Sequence, residues 1–372
     1  CKIMNNNNYE IYFDCGFSKL RAGALKKLNL NQTFYTESKF LYDHLDIDLE
    51  IKKIITLLEK STNEYIDDIN LMIDSPKMLS IGISISKKID DSELRKEDIQ
   101  FLVQKAKQQI LKHYKDQNIV HIIINNYKID KIDYDYLPRD TKCNFVSLDI
   151  LFICLPIEII EYFKKLFYKF DISINQITCS SYAKAINYKN NFSLNKDALF
   201  VDVGFNKTSI TTYINNKIIH LNTLPIGGNH ITKDISKVLK IDIEKAEKLK
   251  INFSKIDVLL KNKDLPLELL KNIIYARTEE ILEILAKSIG LNSINTDHYK
   301  MTLMGDGSKI LQNLYKHKAS LVNNIDFLNE TGEDICKSGF KLIMGSNKQE
   351  VVVVPKKQIK QGFFEKLFHL FK

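Results

Sequence analysis

The sequence predicts an α/β protein that contains a duplicated unit. Apolar runs rich in Ile, Val, Phe and Tyr alternate with segments of 3.6-residue periodicity along the chain, a pattern typical of α/β architecture. Residues 9–20 read YEIYFDCGFSKL, and residues 198–210 read ALFVDVGFNKTSI. Each copy is an apolar strand, then Asp-x-Gly-Phe, a polar residue and Lys, and then a second strand. This internal similarity predicts that one strand–turn–strand unit occurs near the start of each half.

Length and composition allow two or three globular domains. The chain has 372 residues, 44% hydrophobic and 27% charged, with a net charge of +8, whereas one domain usually contains about 100–200 residues. No apolar run approaches about 20 residues, the length that a membrane-spanning helix needs. Asn and Glu interrupt the first residues, so no signal peptide is expected. The six cysteines form no CxxC pair and have no His partner at ligand spacing, which predicts reduced thiols.

Two helices are predicted most clearly, over Arg95–His113 and Leu267–Ile289. In each, apolar residues recur at three- and four-residue spacing and form one stripe, as in a helix that packs on a core. The stripe of the first helix consists of Ile99, Leu102, Val103, Ala106 and Ile110.

The Asp-x-Gly turns have a chemical use beyond closing hairpins. Gly permits close approach of the backbone to a phosphate, and Asp14 and Asp202 are suited to hold hydrated Mg²⁺. Ordinary β-hairpins are the alternative interpretation. A third element favours the nucleotide interpretation, because residues 301–314 read MTLMGDGSKILQNL, a strand, a Gly-containing turn and a helix start that can contact adenosine or phosphate.

These three elements, in this order, resemble the two phosphate loops and the adenosine loop of the actin-like ATPase superfamily. Over nearly its full length the chain resembles the bacterial cell-division family FtsA. The similarity to the family's motifs is carried by residues 14–20 (DCGFSKL), 225–235 (PIGGNHITKDI), 246–250 (AEKLK) and 277–284 (RTEEILEI).

The resemblance implies an actin-like, duplicated ribonuclease-H-like, two-domain α/β fold with an inserted small αβ module called 1C. The implied boundaries are 1–77 and 151–194 for subdomain 1A, 78–150 for 1C, 195–228 for the first part of 2A, 229–295 for 2B, 296–348 for the second part of 2A and the return helix, 349–361 for a linker and 362–372 for an amphipathic helix.

The resemblance also implies a site for ATP and Mg²⁺ between the two halves. The implied nucleotide-binding residues are Asp14, Gly16, Ser18, Lys19, Asp202, Gly204, Asn206, Lys207, Thr208, Gly228, Glu247, Lys250, Gly305 and Gly307. Asp14 and Asp202 would hold Mg²⁺ through water.

Several positions depart from the family's pattern. Phe205 and Asn206 replace two glycines of the second phosphate loop, Phe17 replaces a Thr of the first, and Asp306 replaces a Gly of the adenosine loop. Residues 180–185, SSYAKA, lack the carboxylate that orients the attacking water in many actin-like enzymes. Because phosphoryl transfer depends on positioning and charge stabilisation, we expect nucleotide binding, retained or weakened, with slow or absent hydrolysis.

The end of the chain predicts membrane attachment independently of the resemblance. Residues 355–372 read PKKQIKQGFFEKLFHLFK, a basic, Phe-rich segment whose apolar residues fall mainly on one helical face, as in helices that lie on anionic membranes. Docking of this helix on the protein's own core is the alternative. The expected membrane-binding residues are Phe363, Phe364, Lys366, Leu367, Phe368, Phe371 and Lys372.

The resemblance implies a peripheral protein on the cytoplasmic face of the inner membrane at the division site. It would tether FtsZ by capturing the FtsZ C-terminal tail on 2B, self-associate into filaments and recruit other division proteins. One alternative is an adaptor of pilus assembly similar to PilM, and another is a degenerate actin-fold ATPase related to sugar kinases or chaperones. No nucleic acid partner is expected, because the sequence has no basic patch interleaved with aromatic residues outside the tail.

Overall fold

The two halves of the protein carry the same sheet. The structure, a computed structural model, describes residues 8–27, 33–39, 47–138, 141–191, 197–253, 267–289, 300–317, 325–345 and 350–351. The first-half sheet has the strand order β3-β2-β1-β4-β9, and the second-half sheet has the order β12-β11-β10-β13-β14. In each, three antiparallel strands are followed by parallel ones, so the predicted duplication is present.

The elements of the first half begin with β1 (Tyr9–Cys15), β2 (Lys19–Lys26), β3 (Thr33–Lys39), α1 (Ile47–Thr62) and β4 (Asp68–Ile73), and they end with α3 (Ile157–Tyr168), β9 (Ser173–Cys179) and α4 (Ser180–Asn191). The elements of the second half are β10 (Ala198–Val203), β11 (Thr208–Ile214), β12 (Lys217–Leu224), α5 (Gly228–Leu239), α6 (Ile243–Ile251), α7 (Leu267–Ile289), β13 (Lys300–Met304), α8 (Ser308–His317), β14 (Ile325–Phe327) and α9 (Gly332–Met344).

An inserted module lies between β4 and α3. Its elements are β5 (Leu79–Glu93), α2 (Lys96–His113), β6 (Gln117–Ile129), β7 (Ile132–Tyr134) and β8 (Lys142–Pro156). The three long strands form an antiparallel sheet, and the apolar stripe of α2 packs on it in a separate core cluster. The sheet continues past residue 150, the predicted end of the module, because β8 is one uninterrupted strand up to Pro156.

Both helices predicted from periodicity are confirmed. Helix α2 begins at Lys96 and α7 spans Leu267–Ile289 as predicted. All five residues of the α2 stripe are buried. The five cysteines in the described ranges are free thiols, also as predicted.

The inserted module contacts the second half as well as the first. The side-chain amide of Asn125 on β6 donates to the Ile218 carbonyl of β12 at 2.7 Å. The hydroxyl of Ser80 on β5 accepts from the Leu221 amide at 3.2 Å, and Lys217 pairs with Asp135 at 2.8 Å. The module therefore connects the two halves at a place away from the motifs of the predicted cleft. A short strand, β15 (Glu350–Val351), adds to the free edge of β6 within the predicted linker.

The last helix of the second half returns to the first. Helix α9 packs on β1, β2 and α4, and its start is capped because the Asp334 amide donates to the Thr331 hydroxyl at 3.2 Å. Gly339 lets α9 approach the sheet closely, since a Cβ there would meet the sulfur of Met72 and lie 3.0 Å from the Tyr12 ring. None of the helices in the described ranges is long and apolar enough to cross a membrane.

We predict that Gly339→Ala lowers the free energy of unfolding. Tyr12 and Met72 are fully buried, so a methyl group forced between them overpacks the core and costs about 1–3 kcal/mol. Gly82→Ala in β5 is the matched control, because a Cβ there has no atom within 4 Å. Urea unfolding of both variants measures the difference, and equal midpoints would contradict close packing at Gly339.

Candidate functional site

Two equivalent hairpins form the base of the candidate site. In the first, the Gly16 amide donates to the Lys19 carbonyl at 3.0 Å, and in the second the Gly204 amide donates to the Lys207 carbonyl at 2.9 Å. The strand registers are also equivalent, with Cys15 opposite Leu20 in one hairpin and Val203 opposite Thr208 in the other. The internal sequence similarity therefore corresponds to a real structural repeat.

The second hairpin is held on the start of α5. The Gly228 and Asn229 amides donate to the carbonyls of Gly204 and Phe205 at 3.0 and 2.8 Å. The hydroxyl of Thr208 donates to the Ile226 carbonyl at 2.7 Å. These bonds use amide donors of the first turn of α5, donors that a helix start otherwise leaves open to an anion.

The third loop packs on the second hairpin. Gly305 has φ +86, a left-handed conformation that glycine adopts without strain. A Cβ at Gly305 would also collide with Asp202 and Val203, so this position requires glycine for two reasons. The Gly307 amide donates to the Val203 carbonyl at 2.9 Å, which places the following residues at the mouth of the cleft.

A cavity of about 410 Å³ lies between the two halves where the three loops meet. Ligand sites commonly measure about 300–1,000 Å³, so this volume suits a small molecule. Eight of the predicted nucleotide-binding residues line it, namely Asp14, Gly16, Ser18, Lys19, Asp202, Gly204, Lys207 and Gly305. The other six, Asn206, Thr208, Gly228, Glu247, Lys250 and Gly307, do not line it.

Glu247 and Lys250 form a buried network beside this cavity. The Lys250 ammonium lies 2.6 Å from the Glu247 carboxylate and donates to the Thr232 hydroxyl at 2.8 Å. It also lies 5.4 Å from the centre of the Phe205 ring, and Phe205 itself lines the cavity. Burial lowers the pKa of Lys250, against the opposing effect of Glu247.

Lys184 on α4 reaches the second half and pairs with two carboxylates. Its ammonium lies 2.8 Å from Asp202 and 3.0 Å from Glu330, and all three side chains are at least 90% buried. Burial alone would lower the pKa of Lys184, but the charges of Asp202 and Glu330 outweigh it and raise that pKa above its ordinary value. Lys184 is therefore charged, as a buried group with two carboxylate partners should be.

A second ion pair crosses between the halves at the other side of the second hairpin. Lys207 lies 2.7 Å from Asp74, which follows β4 of the first half. The Asp74 carboxylate also accepts from the Ser181 amide at 3.2 Å. Burial raises the pKa of Asp74, but Lys207 and the hydrogen bonds lower it more, so that pKa lies below its ordinary value.

Asp306 pairs with cations of the first half at the mouth of the cavity. Its carboxylate lies 2.6 Å from Lys19 and 2.8 Å from Arg21, and 3.1 Å from Lys309 of its own half. Arg21 also holds Asp14 at 2.8 Å, and the Ser180 hydroxyl donates to the other Asp14 oxygen at 2.7 Å.

A polyphosphate and Mg²⁺ would have to displace existing partners of the charged side chains that line the cavity. The cations suited to phosphate, Lys19, Arg21 and Lys207, each already pair with a carboxylate. Both Asp14 oxygens accept from protein groups, and Asp202 pairs with Lys184. Within the described ranges no cluster of three His, Cys, Asp or Glu residues could hold a metal ion. The ammonium of Lys184 thus lies against the carboxylate of Asp202, one of the two that were expected to face Mg²⁺.

Sequence reasoning missed Arg21, Asp74, Lys184 and Glu330 as parts of the site. Two of them carried a usable signal. Lys184 stands between two alanines in a segment of small and apolar residues, which indicates a buried cation, and Arg21 lies two residues after Lys19 on a strand, hence on the same face. Asp74 and Glu330 lie in connecting segments without a motif. The predicted membrane-binding residues, 363–372, lie outside the described residues.

Comparison with known proteins gives first the class of fold and then the family to which the chain is similar. Over 88% of this chain and 89% of the other, the structure superposes on a chain of the PilM–PilN type IV pilus biogenesis complex with a TM-score of 0.60 at 13% identity. Together with the duplicated sheets, this likeness shows an actin-like fold, which confirms the predicted fold class.

The sequence comparisons point to one family within that class. A family model described as cell division protein FtsA matches residues 199–330. FtsA of Buchnera aphidicola subsp. Acyrthosiphon pisum is 23% identical over 358 residues, 84% of this chain and 85% of that protein. FtsA of Streptococcus pneumoniae serotype 2 is 23% identical over 235 residues, 61% of this chain and 51% of that protein. These matches, at low identity, support a similarity to the FtsA family of cell-division proteins.

We predict that Lys184→Met strongly destabilises the protein. The change leaves Asp202 and Glu330 buried without their cation, which costs about 3–5 kcal/mol. Lys300→Met is the matched control, because Lys300 pairs with Asp326 on the surface at 2.8 Å and exposed pairs contribute less than about 1 kcal/mol. Calorimetric melting of both variants makes the comparison, and equal losses would show that Lys184 is no more than a surface group.

We also predict that the Asp74–Lys207 pair makes stability dependent on pH in the acid range. The pKa of Asp74 is lower in the folded protein than its ordinary value of 3.8. The pair therefore stabilises the fold above about pH 4, and this contribution is lost as the pH falls toward the folded-state pKa. Asp74→Asn should lower stability at pH 7 and reduce the loss between pH 4 and pH 3, as measured by urea unfolding. Asp67→Asn, at an exposed carboxylate before β4, is the control; an unchanged acid slope in Asp74→Asn would contradict the assignment.

Proposed function

We propose that the protein is a cell-division scaffold that tethers FtsZ filaments to the cytoplasmic face of the membrane at the division site. It does so as a peripheral membrane protein and helps to recruit other division proteins. The proposal rests on the actin-like fold, the FtsA matches and the sequence of the last residues. One structural observation favours a scaffold over an enzyme, and it concerns the charges of the cleft.

The charges of the cleft are paired with one another rather than open to a substrate. At the start of α4, Ser180 and Lys184 face the cavity, and no carboxylate occurs in residues 180–185. Phosphoryl transfer requires a positioned water and stabilisation of charge on the phosphates, and paired lysines supply neither. We therefore propose that ATP with Mg²⁺ binds weakly in this cleft and is hydrolysed slowly or not at all.

Attachment to the membrane is proposed for residues 362–372. Four phenylalanines on a short basic segment would bury apolar area at about 25 cal/mol per Å², and each nearby Lys adds about 1 kcal/mol on an anionic surface. A PilM-like pilus adaptor is the second candidate, supported by the likeness of fold. The basic, Phe-rich sequence of residues 362–372 favours the division scaffold, because a segment of this kind suits attachment to a membrane surface.

Two binding surfaces are proposed by position in the fold. The FtsZ C-terminal tail would bind the part of the second half that contains α5, α6 and α7, within residues 229–295. Filament contacts between copies of the chain would involve the inserted module, among other surfaces.

We expect the full chain, and not a chain ending at Gln361, to sediment with vesicles that contain phosphatidylglycerol. The truncated chain should stay in solution because it lacks the apolar helical face and two of the lysines, Lys366 and Lys372. A finer variant, Phe364→Ala with Phe368→Ala, should lose most binding, whereas Gln358→Ala with Gln361→Ala in the preceding segment should keep it. A second sedimentation with FtsZ added to the vesicles and the protein tests the tether. FtsZ should pellet with vesicles that carry the full chain and not with vesicles mixed with the truncated chain.

Two results would contradict the proposal. If the full chain and the truncated chain stay in solution alike, the tail docks on the protein's own body and the soluble adaptor is favoured. If the full chain pellets but brings down no FtsZ, membrane attachment stands and the FtsZ partner is wrong.

A further inference from the structure

Among the residues that the structure describes, five ion pairs join the two halves at the cleft. Lys184 reaches Asp202 and Glu330, Lys207 reaches Asp74, and the Asp306 carboxylate reaches both Lys19 and Arg21. In each pair one partner belongs to the first half and the other to the second. The cleft is thereby closed by charges that the chain itself supplies.

Asp306 differs from the other carboxylates of the cleft. Its side chain is 40% exposed, whereas those of Asp74, Asp202 and Glu330 are at most 10% exposed. It lies directly after Gly305, whose amide donates to Glu330 at 2.8 Å, so the backbone that carries it is held in place. Asp306 is therefore a fixed anion at the mouth of the cavity that solvent can still reach.

The two cations that Asp306 contacts belong to the first hairpin and line the cavity. Lys19 and Arg21 are 19% and 12% exposed, and an anionic ligand in the cavity would contact these same groups. A carboxylate held on the same chain competes with such a ligand at a high effective concentration. Asp306 and a phosphate would therefore compete for the N–H donors of Lys19 and Arg21.

We propose that Asp306 acts as a built-in anion that holds the cleft closed without nucleotide and competes with the phosphates of a nucleotide for Lys19 and Arg21. This inference rests on the proposed weak binding of nucleotide in the cleft, and it adds the cause of that weakness. The cleft then stays closed until the nucleotide concentration is high enough for a ligand to displace Asp306.

The variant Asp306→Asn tests the competition, because it removes the charge and keeps the size of the side chain. Titration with ATP and Mg²⁺ in a calorimeter should show about tenfold tighter binding than in the wild type, because the variant lacks the carboxylate that competes for Lys19 and Arg21, although Arg21 keeps Asp14 as a partner. Asp326→Asn is the matched control. It removes one negative charge from the same half, at the exposed pair with Lys300, and should leave the affinity unchanged.

A second measurement tests the closure in the absence of any nucleotide. Amide hydrogen exchange in peptides that cover residues 14–21 and 303–308 should be faster in Asp306→Asn than in the wild type and in Asp326→Asn. The reason is that the loops lose a contact that joins them across the cleft, and local opening then costs less free energy.

The outcomes separate this inference from the proposed function. Equal affinity in the wild type and in Asp306→Asn would overturn the competition and leave nucleotide binding intact. If neither protein binds ATP, the proposed nucleotide site fails, and the exchange data decide the closure alone. Unchanged exchange in Asp306→Asn would overturn the closure, because a carboxylate that joins the halves cannot be removed without effect on the loops that it connects.

Discussion

The pairing of buried charges across the cleft is the constraint on which the rest of the structure depends. A lysine in the interior is expensive to desolvate, and only a close carboxylate with good geometry compensates for that cost. Lys184 satisfies this condition only when the two halves approach closely enough to place Asp202 and Glu330 around its ammonium. The halves therefore cannot separate without exposing or isolating several charges at once.

Duplication of one hairpin has produced two loops with different electrostatic partners. Asp14 of the first copy is held by Arg21 and Ser180 within its own half, whereas Asp202 of the second copy is held by Lys184 of the opposite half. The backbone of the two hairpins is equivalent, so the difference comes from side chains on neighbouring elements. The two equivalent aspartates therefore differ in role, because Asp14 is held within its own half and Asp202 joins the two halves.

The inserted module adds a second connection between the halves, through β5 and β6 on one side and β12 on the other. Together with α9, which returns from the second half to the sheet of the first, it joins the two halves through contacts outside the cleft.

Local signals in the sequence were sufficient for much of the fold. The period of α2 and α7, the repeated Asp-x-Gly hairpin and the glycine at 305 predicted elements that the structure contains, because each depends on residues close together in the chain. Eight of the fourteen predicted nucleotide-binding residues line the cavity between the halves, and the other six do not. The pairing of charges in the cleft depends on contacts between residues far apart in sequence, such as Lys207 with Asp74 and Asp306 with Arg21. No periodicity or motif encodes the partner of a charge, so only the tertiary structure decided that the predicted nucleotide-binding charges are paired with one another.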